Sequence, residues 1–129
     1  MPSASQIRAL IVDDQASIRQ VLASHMAELG FKGIVQRKDG QEALDYLASN
    51  PVHLVISDFN MPGVDGLALL EAVRANPKTA KVAFIILTGE ANAGLVQKAV
   101  SAGVNNFLAK PYTLAKLKET LEKVFGPIR

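Results

Sequence analysis

Val52-His53-Leu54-Val55-Ile56-Ser57-Asp58, followed by Phe59-Asn60-Met61-Pro62-Gly63, decides the fold. An apolar run of strand length ends in a carboxylate, and turn formers follow at once. The same arrangement recurs three times. Residues 7–12 end in the pair Asp13-Asp14, residues 82–87 end in Thr88, and Phe107-Leu108-Ala109 ends in Lys110-Pro111. If these four runs are neighbouring parallel strands, one sheet edge gathers three carboxylates, a hydroxyl and an ammonium.

Segments of helical period separate the runs. Ile18, Val21, Leu22 and Leu29 fall on one helical face, and Gly30-Phe31-Lys32-Gly33 breaks that helix before a weak strand at 34–37. Ala43, Leu44 and Leu47 mark a second helix that stops ahead of Asn50-Pro51, because proline restricts the residue before it. Asp65 caps a third, whose core side carries Leu67, Leu70 and Val73 and which ends at Asn76-Pro77. A fourth spans 92–102 with Gly103 as its stop. After a strand at 106–109, Thr113 caps a fifth helix bearing Leu114, Leu117, Leu121 and Val124, closed by Gly126-Pro127. Five βα units predict an α/β fold, with a parallel sheet covered by helices on both faces. Right-handed crossovers leave few topologies. Ligands of such sheets bind at the carboxyl ends of the strands, where all four polar signals lie.

Composition narrows the function. The chain has 129 residues, 49% of them hydrophobic, which suits one domain with a real core across 1–129 and argues against disorder. No apolar run approaches the ~18 residues of a membrane span, and the start lacks a signal-peptide pattern. With no cysteine, disulfides and thiolate metal sites are excluded. We expect a cytoplasmic protein without membrane insertion. A formal charge of +2 does not announce a DNA binder, although after residue 90 Lys98, Lys110, Lys116, Lys118, Lys123 and Arg129 outnumber Glu119 and Glu122. That excess suits an acidic partner or a solvated helix face.

The strand-end cluster has its own chemistry. Adjacent strands lie about 4.8 Å apart, so carboxylates ending neighbouring strands repel by roughly 3 kcal/mol at an effective dielectric near 20. A proton or a bound cation must offset this. Three acids and a backbone carbonyl suit a hard ion, and Mg2+, with Mn2+ as its substitute, shares its shell readily with phosphate. A carboxylate can act as nucleophile and become an acyl phosphate, while a lysine and a hydroxyl offset the charge on the phosphoryl oxygens. Lys110 and Thr88 are placed for that.

These residues resemble the receiver domain of two-component response regulators. The order Asp13-Asp14, Asp58, Thr88, Lys110-Pro111 matches over nearly the whole chain. Val55-Ile56-Ser57-Asp58-Phe59-Asn60-Met61-Pro62-Gly63-Val64-Asp65-Gly66-Leu67 is close to the single-domain chemotaxis members. The resemblance implies a flavodoxin-like (βα)5 fold with strand order 2-1-3-4-5. It also implies a phosphoprotein that takes a phosphoryl group on Asp58 from a sensor histidine kinase or a small acyl phosphate. Asp14 and Asp58 would bind the metal directly, Asp13 largely through water, and Asn60 through its backbone carbonyl. Lys110 would pair with the phosphate across a cis Lys110-Pro111 bond. Asn60 and Glu90 occupy the positions that tune dephosphorylation. Thr88 and Phe107 form the switch, although Phe107 lacks the hydroxyl of the usual tyrosine and Gly89 replaces a common alanine. The implied output is a protein contact through the fourth helix, fifth strand and fifth helix, in chemotaxis or motility signalling, with the flagellar motor switch as one such partner. Its catalysis would be confined to its own phosphorylation and dephosphorylation.

Each residue also has a plain reading. Asp58 alone suits a cap or turn, Asp13-Asp14 alone could cap the first helix, and a lone Thr88 or Lys110 suits a strand end. His25 reads as a packed or edge histidine, and His53 has no partner at ligand spacing. Two other functions compete: a phosphorelay shuttle or phosphate sink with no direct output, and an aspartyl-nucleophile phosphatase. The phosphatases carry a second acid two residues after the nucleophile, where Asn60 stands here. A flavin or nucleotide carrier lacks its glycine-rich phosphate loop after the first strand.

Overall fold

Strand and helix alternate five times along residues 3–89 and 93–128, the part of the chain that this computed structural model describes. The elements are β1 (Arg8–Val12), α1 (Ala16–Glu28), β2 (Gly33–Arg37), α2 (Gly40–Leu47), β3 (Leu54–Asp58), α3 (Gly66–Ala75), β4 (Ala83–Thr88), α4 (Ala93–Ala102), β5 (Asn106–Ala109) and α5 (Leu114–Phe125), preceded by a 3-10 turn at Ala4–Gln6. Every strand pairing is parallel, in the order β2-β1-β3-β4-β5. The expected topology is therefore present.

Alternation along the strands divides the core in two. Ala9 and Ile11 of β1, Leu54 and Ile56 of β3, and Ile85 and Leu87 of β4 pack with Leu22 and Met26 of α1 and Leu117 and Leu121 of α5. Their neighbours Leu10, Val12, Val55, Phe84 and Ile86 face the other way, onto Ala43 and Leu47 of α2, Leu69, Leu70 and Val73 of α3, and Ala99 of α4. β3 and β4 are buried along their whole length, which is why their sequences run apolar without a break.

Helix starts follow the cap chemistry. Asp39, Asp65 and Thr113 accept backbone N–H bonds from Glu42, Ala68 and Lys116 at 2.8, 2.8 and 3.0 Å. Gly103, at φ +95°, closes α4 in the left-handed region that favours glycine. The expected start of α4 at Asn92 lies outside the described residues.

Two expectations on helix phase need correction. Val21 is 52% exposed, whereas Met26 is fully buried. The buried stripe of α1 runs through Leu22 and Met26, one turn apart, and Val21 stands off it. In α3, Leu69 is buried beside Leu70 and Val73, while Leu67 is only half-buried. The strand boundaries also move toward the carboxyl end, so Asp58 and Thr88 are the last residues of β3 and β4 rather than the first beyond them. Among the described residues no helix is long and apolar enough to cross a membrane.

Candidate functional site

Strand register brings the cluster together. Val12 lies beside Ser57, so Asp13, the next residue, emerges beside Asp58 at the carboxyl edge of the sheet. Asp58 in turn lies beside Leu87, and Thr88 is one step further along β4. Thr88 lies beside Ala109, and Lys110 follows with its N–H bonded to the Thr88 carbonyl at 2.8 Å. Asp13, Asp58 and Thr88 are buried and Asp14 is exposed, which gives the cluster one open side.

Lys110 is the cationic centre. Its Nζ lies 2.9 Å from Oδ1 of Asp58 and 3.6 Å from Oδ2 of Asp13. The Lys110-Pro111 peptide bond is cis, as the resemblance implied. One oxygen from each of Asp13, Asp14 and Asp58 lies within 4.8 Å of the other two. Among the described residues three carboxylates thus face one ammonium, an excess of two negative charges that one divalent cation would balance. Oδ2 of Asp13 is buried without a hydrogen-bond partner. An unsatisfied buried carboxylate oxygen is costly, so it marks where a cation fits. Burial pushes the Asp13 carboxyl above its ordinary range, and the charges of Asp58 and Asp14 push the same way. The Gln15 N–H bond and Lys110 oppose them.

The plain alternative for the acid pair is not met. The N-cap of α1 is Gln15, whose side chain makes no capping bond, while Oδ1 of Asp13 accepts the Gln15 N–H at 2.9 Å and Oδ2 turns to Lys110. Asn60 is exposed in the turn after β3, and Phe107 is half-buried in β5 against the α2–α4 side of the core. Glu90 lies outside the described residues. His25 is an edge histidine, as expected, with its ring 5.6 Å from Tyr112 and its Nδ1 3.1 Å from the phenolic oxygen. On α5, Lys116 and Lys123 both reach Glu119 at 3.3 Å, whereas Lys118 is exposed.

Three supporting residues escaped the sequence reading. Arg19 donates from Nη1 to the Asp13 carbonyl at 2.6 Å, pinning the loop that presents the acid pair. Ser57 donates to the Asp58 carbonyl at 2.9 Å. Gly66 opens α3 so close to that carbonyl that a Cβ would lie 2.6 Å from it and 2.9 Å from the Phe59 Cα. In each case the partner is backbone, and no spacing of residue types signals that.

Residues 9–122 match the family model described as the response regulator receiver domain. The chain is 49% identical over 129 residues, the full length of both, to a probable chemotaxis protein CheY of Rhizobium etli. Among solved structures, it superposes on chemotaxis protein CheY4 of Vibrio cholerae with a TM-score of 0.86 at 30% identity, covering 92% of this chain and 98% of the other. A receiver domain of a sensor histidine kinase from Pseudomonas aeruginosa, solved with a magnesium ion coordinated in its active-site cleft, gives a TM-score of 0.83 at 27% identity over 93% and 98% of the two chains.

Proposed function

Because this chain belongs to the response regulator receiver family, we propose that it is a phosphorylation-controlled binding module whose phosphoacceptor is Asp58. One observation carries the reading. Lys110 Nζ sits 2.9 Å from the Asp58 carboxylate, inside a pocket that still holds two unbalanced negative charges. An ammonium already in contact with the acceptor is in place to offset charge on an incoming phosphoryl group.

In the transfer, an Asp58 oxygen attacks the phosphorus of a phosphohistidine or a small acyl phosphate. The new O–P bond forms as the P–N or P–O bond of the donor breaks, and the leaving group departs with its electron pair. Lys110 stays against the phosphoryl oxygens, and Thr88 donates its hydroxyl to one of them. A bound Mg2+, or Mn2+, would neutralise the remaining charge. The residues that would hold it are Asp13, Asp14, Asp58 and the Asn60 carbonyl, and the orphaned Oδ2 of Asp13 suits that role. The magnesium-bearing receiver domain of the Pseudomonas kinase gives the choice of ion independent support.

The output we assign is binding of a protein partner on the surface of α4, β5 and α5. Thr88 and Phe107 couple that surface to Asp58, and Asn60 and Glu90 set how long the phosphate lasts. A sensor histidine kinase would be the donor. The curated relative is a probable chemotaxis protein, so chemotaxis signalling is the process we infer, with a flagellar motor component as the partner class. The test is labelling with acetyl phosphate. Wild type should take up label with Mg2+ and lose that uptake in EDTA, and Asp58→Asn should take up none. Label retained by Asp58→Asn would mean that the acceptor is another residue.

A further inference from the structure

We propose a second ligand site, for an organic phosphate such as a nucleoside monophosphate, at the amino-terminal pole of the sheet. Here the loops before β3, β4 and β5 meet the end of α5 around a cavity of about 550 Å³. That volume is within the range of small-molecule pockets. One strand length, about 17 Å for five residues, separates it from the Asp58 end of the sheet.

The polar side chains that line it are His53, Lys78, Lys81 and Asn105, and among the described residues no acid joins them. Two of the four are fixed as donors. His53 Nδ1 accepts the Arg8 N–H at 2.9 Å, so in the neutral ring the proton is on Nε2. Asn105 Oδ1 accepts from Phe84 N at 2.7 Å and Arg74 Nη2 at 2.9 Å, which leaves its amide NH2 as the donating end. Lys78 and Lys81 add two ammonium groups on flexible stems. The lining side chains therefore offer donors with no carboxylate beside them among the described residues, the complement of an anion. Val82 and Phe125 supply an apolar wall beside these donors, which inorganic phosphate would leave uncovered.

The experiment is a chemical-shift titration of the full chain in EDTA, which keeps phosphate chemistry at Asp58 silent. The probes are AMP, inorganic phosphate and adenosine. AMP should produce saturable shifts at His53, Lys78, Lys81 and Asn105. Inorganic phosphate should bind at least about tenfold more weakly, and adenosine should leave these amides unmoved. Raising NaCl from about 50 to about 300 mM should weaken AMP binding, because the two lysines are exposed and screened by salt. The pair Lys78→Glu and Lys81→Glu should reduce AMP affinity at least tenfold while labelling of Asp58 by acetyl phosphate stays as in wild type, which shows that the variant is folded. Absence of saturable shifts, unchanged affinity in that variant, or shifts confined to Lys116, Lys118 and Lys123 would overturn the site. Equal affinity for phosphate and AMP would overturn its assignment to an organic phosphate.

Discussion

Replacing Asp13 by asparagine should make the metal-free protein more stable and the metal-loaded protein comparatively weaker. Oδ2 of Asp13 is buried and 3.6 Å from the Lys110 ammonium, and one oxygen of Asp13 lies within 4.8 Å of one of Asp58. At an effective dielectric near 20, these separations correspond to about 3.5 kcal/mol of repulsion and about 4.6 kcal/mol of attraction. Attraction leads by about 1 kcal/mol, and the nearby Asp14 carboxylate works against that lead. What remains is the cost of burying a charge with one oxygen lacking a hydrogen bond, which for a fully buried ion is still several kcal/mol after relaxation and less for one at an open site. Burial is also the first cause that lifts the Asp13 carboxyl above its ordinary range. A carboxyl raised in the folded state contributes stability only while protonated, and that contribution is lost as pH rises through its folded value. At neutral pH in EDTA, Asp13→Asn should thus gain about 1–2 kcal/mol, or roughly 4–7 °C in Tm for a chain of this size. The gain should shrink toward pH 4 as the wild-type carboxyl takes up its proton. With Mg2+ at tenfold its Kd, wild type should recover about 1.4 kcal/mol and the variant much less. Thermal melts of both proteins, with EDTA or MgCl2 and across that pH range, provide the measurement. A variant less stable than wild type in EDTA, or an equal Mg2+ shift in both, would refute the electrostatic account.

Further substitutions probe other links. Gly89→Ala should stabilise by about 0.4–1 kcal/mol, because the position is not left-handed and a Cβ would meet no atom of the described residues within 4 Å; a lower urea midpoint would show that the loop needs glycine. Asp65→Ala removes the carboxylate that accepts the Ala68 N–H and should cost about 1 kcal/mol, read from the same titration. Phe107→Ala should lose about 1–2 kcal/mol, since the ring is only half-buried, and should leave acetyl-phosphate labelling near wild type. Its phosphorylation-dependent capture of a partner should weaken, and unchanged capture would reject Phe107 as the coupling residue.

Much of this arrangement was legible because the signals are local and repeated. Four apolar runs each end in a chemically distinctive residue, and parallel strands necessarily align those ends. Asp13, Asp14, Asp58 and Lys110 could therefore be grouped before any distance was known. Helix phase was harder to read. Val21 and Met26 are both apolar and both fit a helical repeat, and only packing against β1 and α5 decides which of them turns inward. The hydrogen bonds from Arg19 and Ser57 to carbonyls were invisible for another reason, since a backbone oxygen has no residue identity. Arg74 is similar. It reaches the carbonyls of Ala80, Val82 and Gly103 from α3, and reads in the sequence as one more surface charge.

Asp58 is rooted in a strand paired along both edges and covered on both faces, whereas β5 is a four-residue border strand with one buried residue. Local opening is cheapest where packing is thinnest. The acceptor's seat should therefore be among the last amides to exchange with solvent, and the border strand among the first. A message written in the buried middle of the sheet would be read out at one of its two yielding margins.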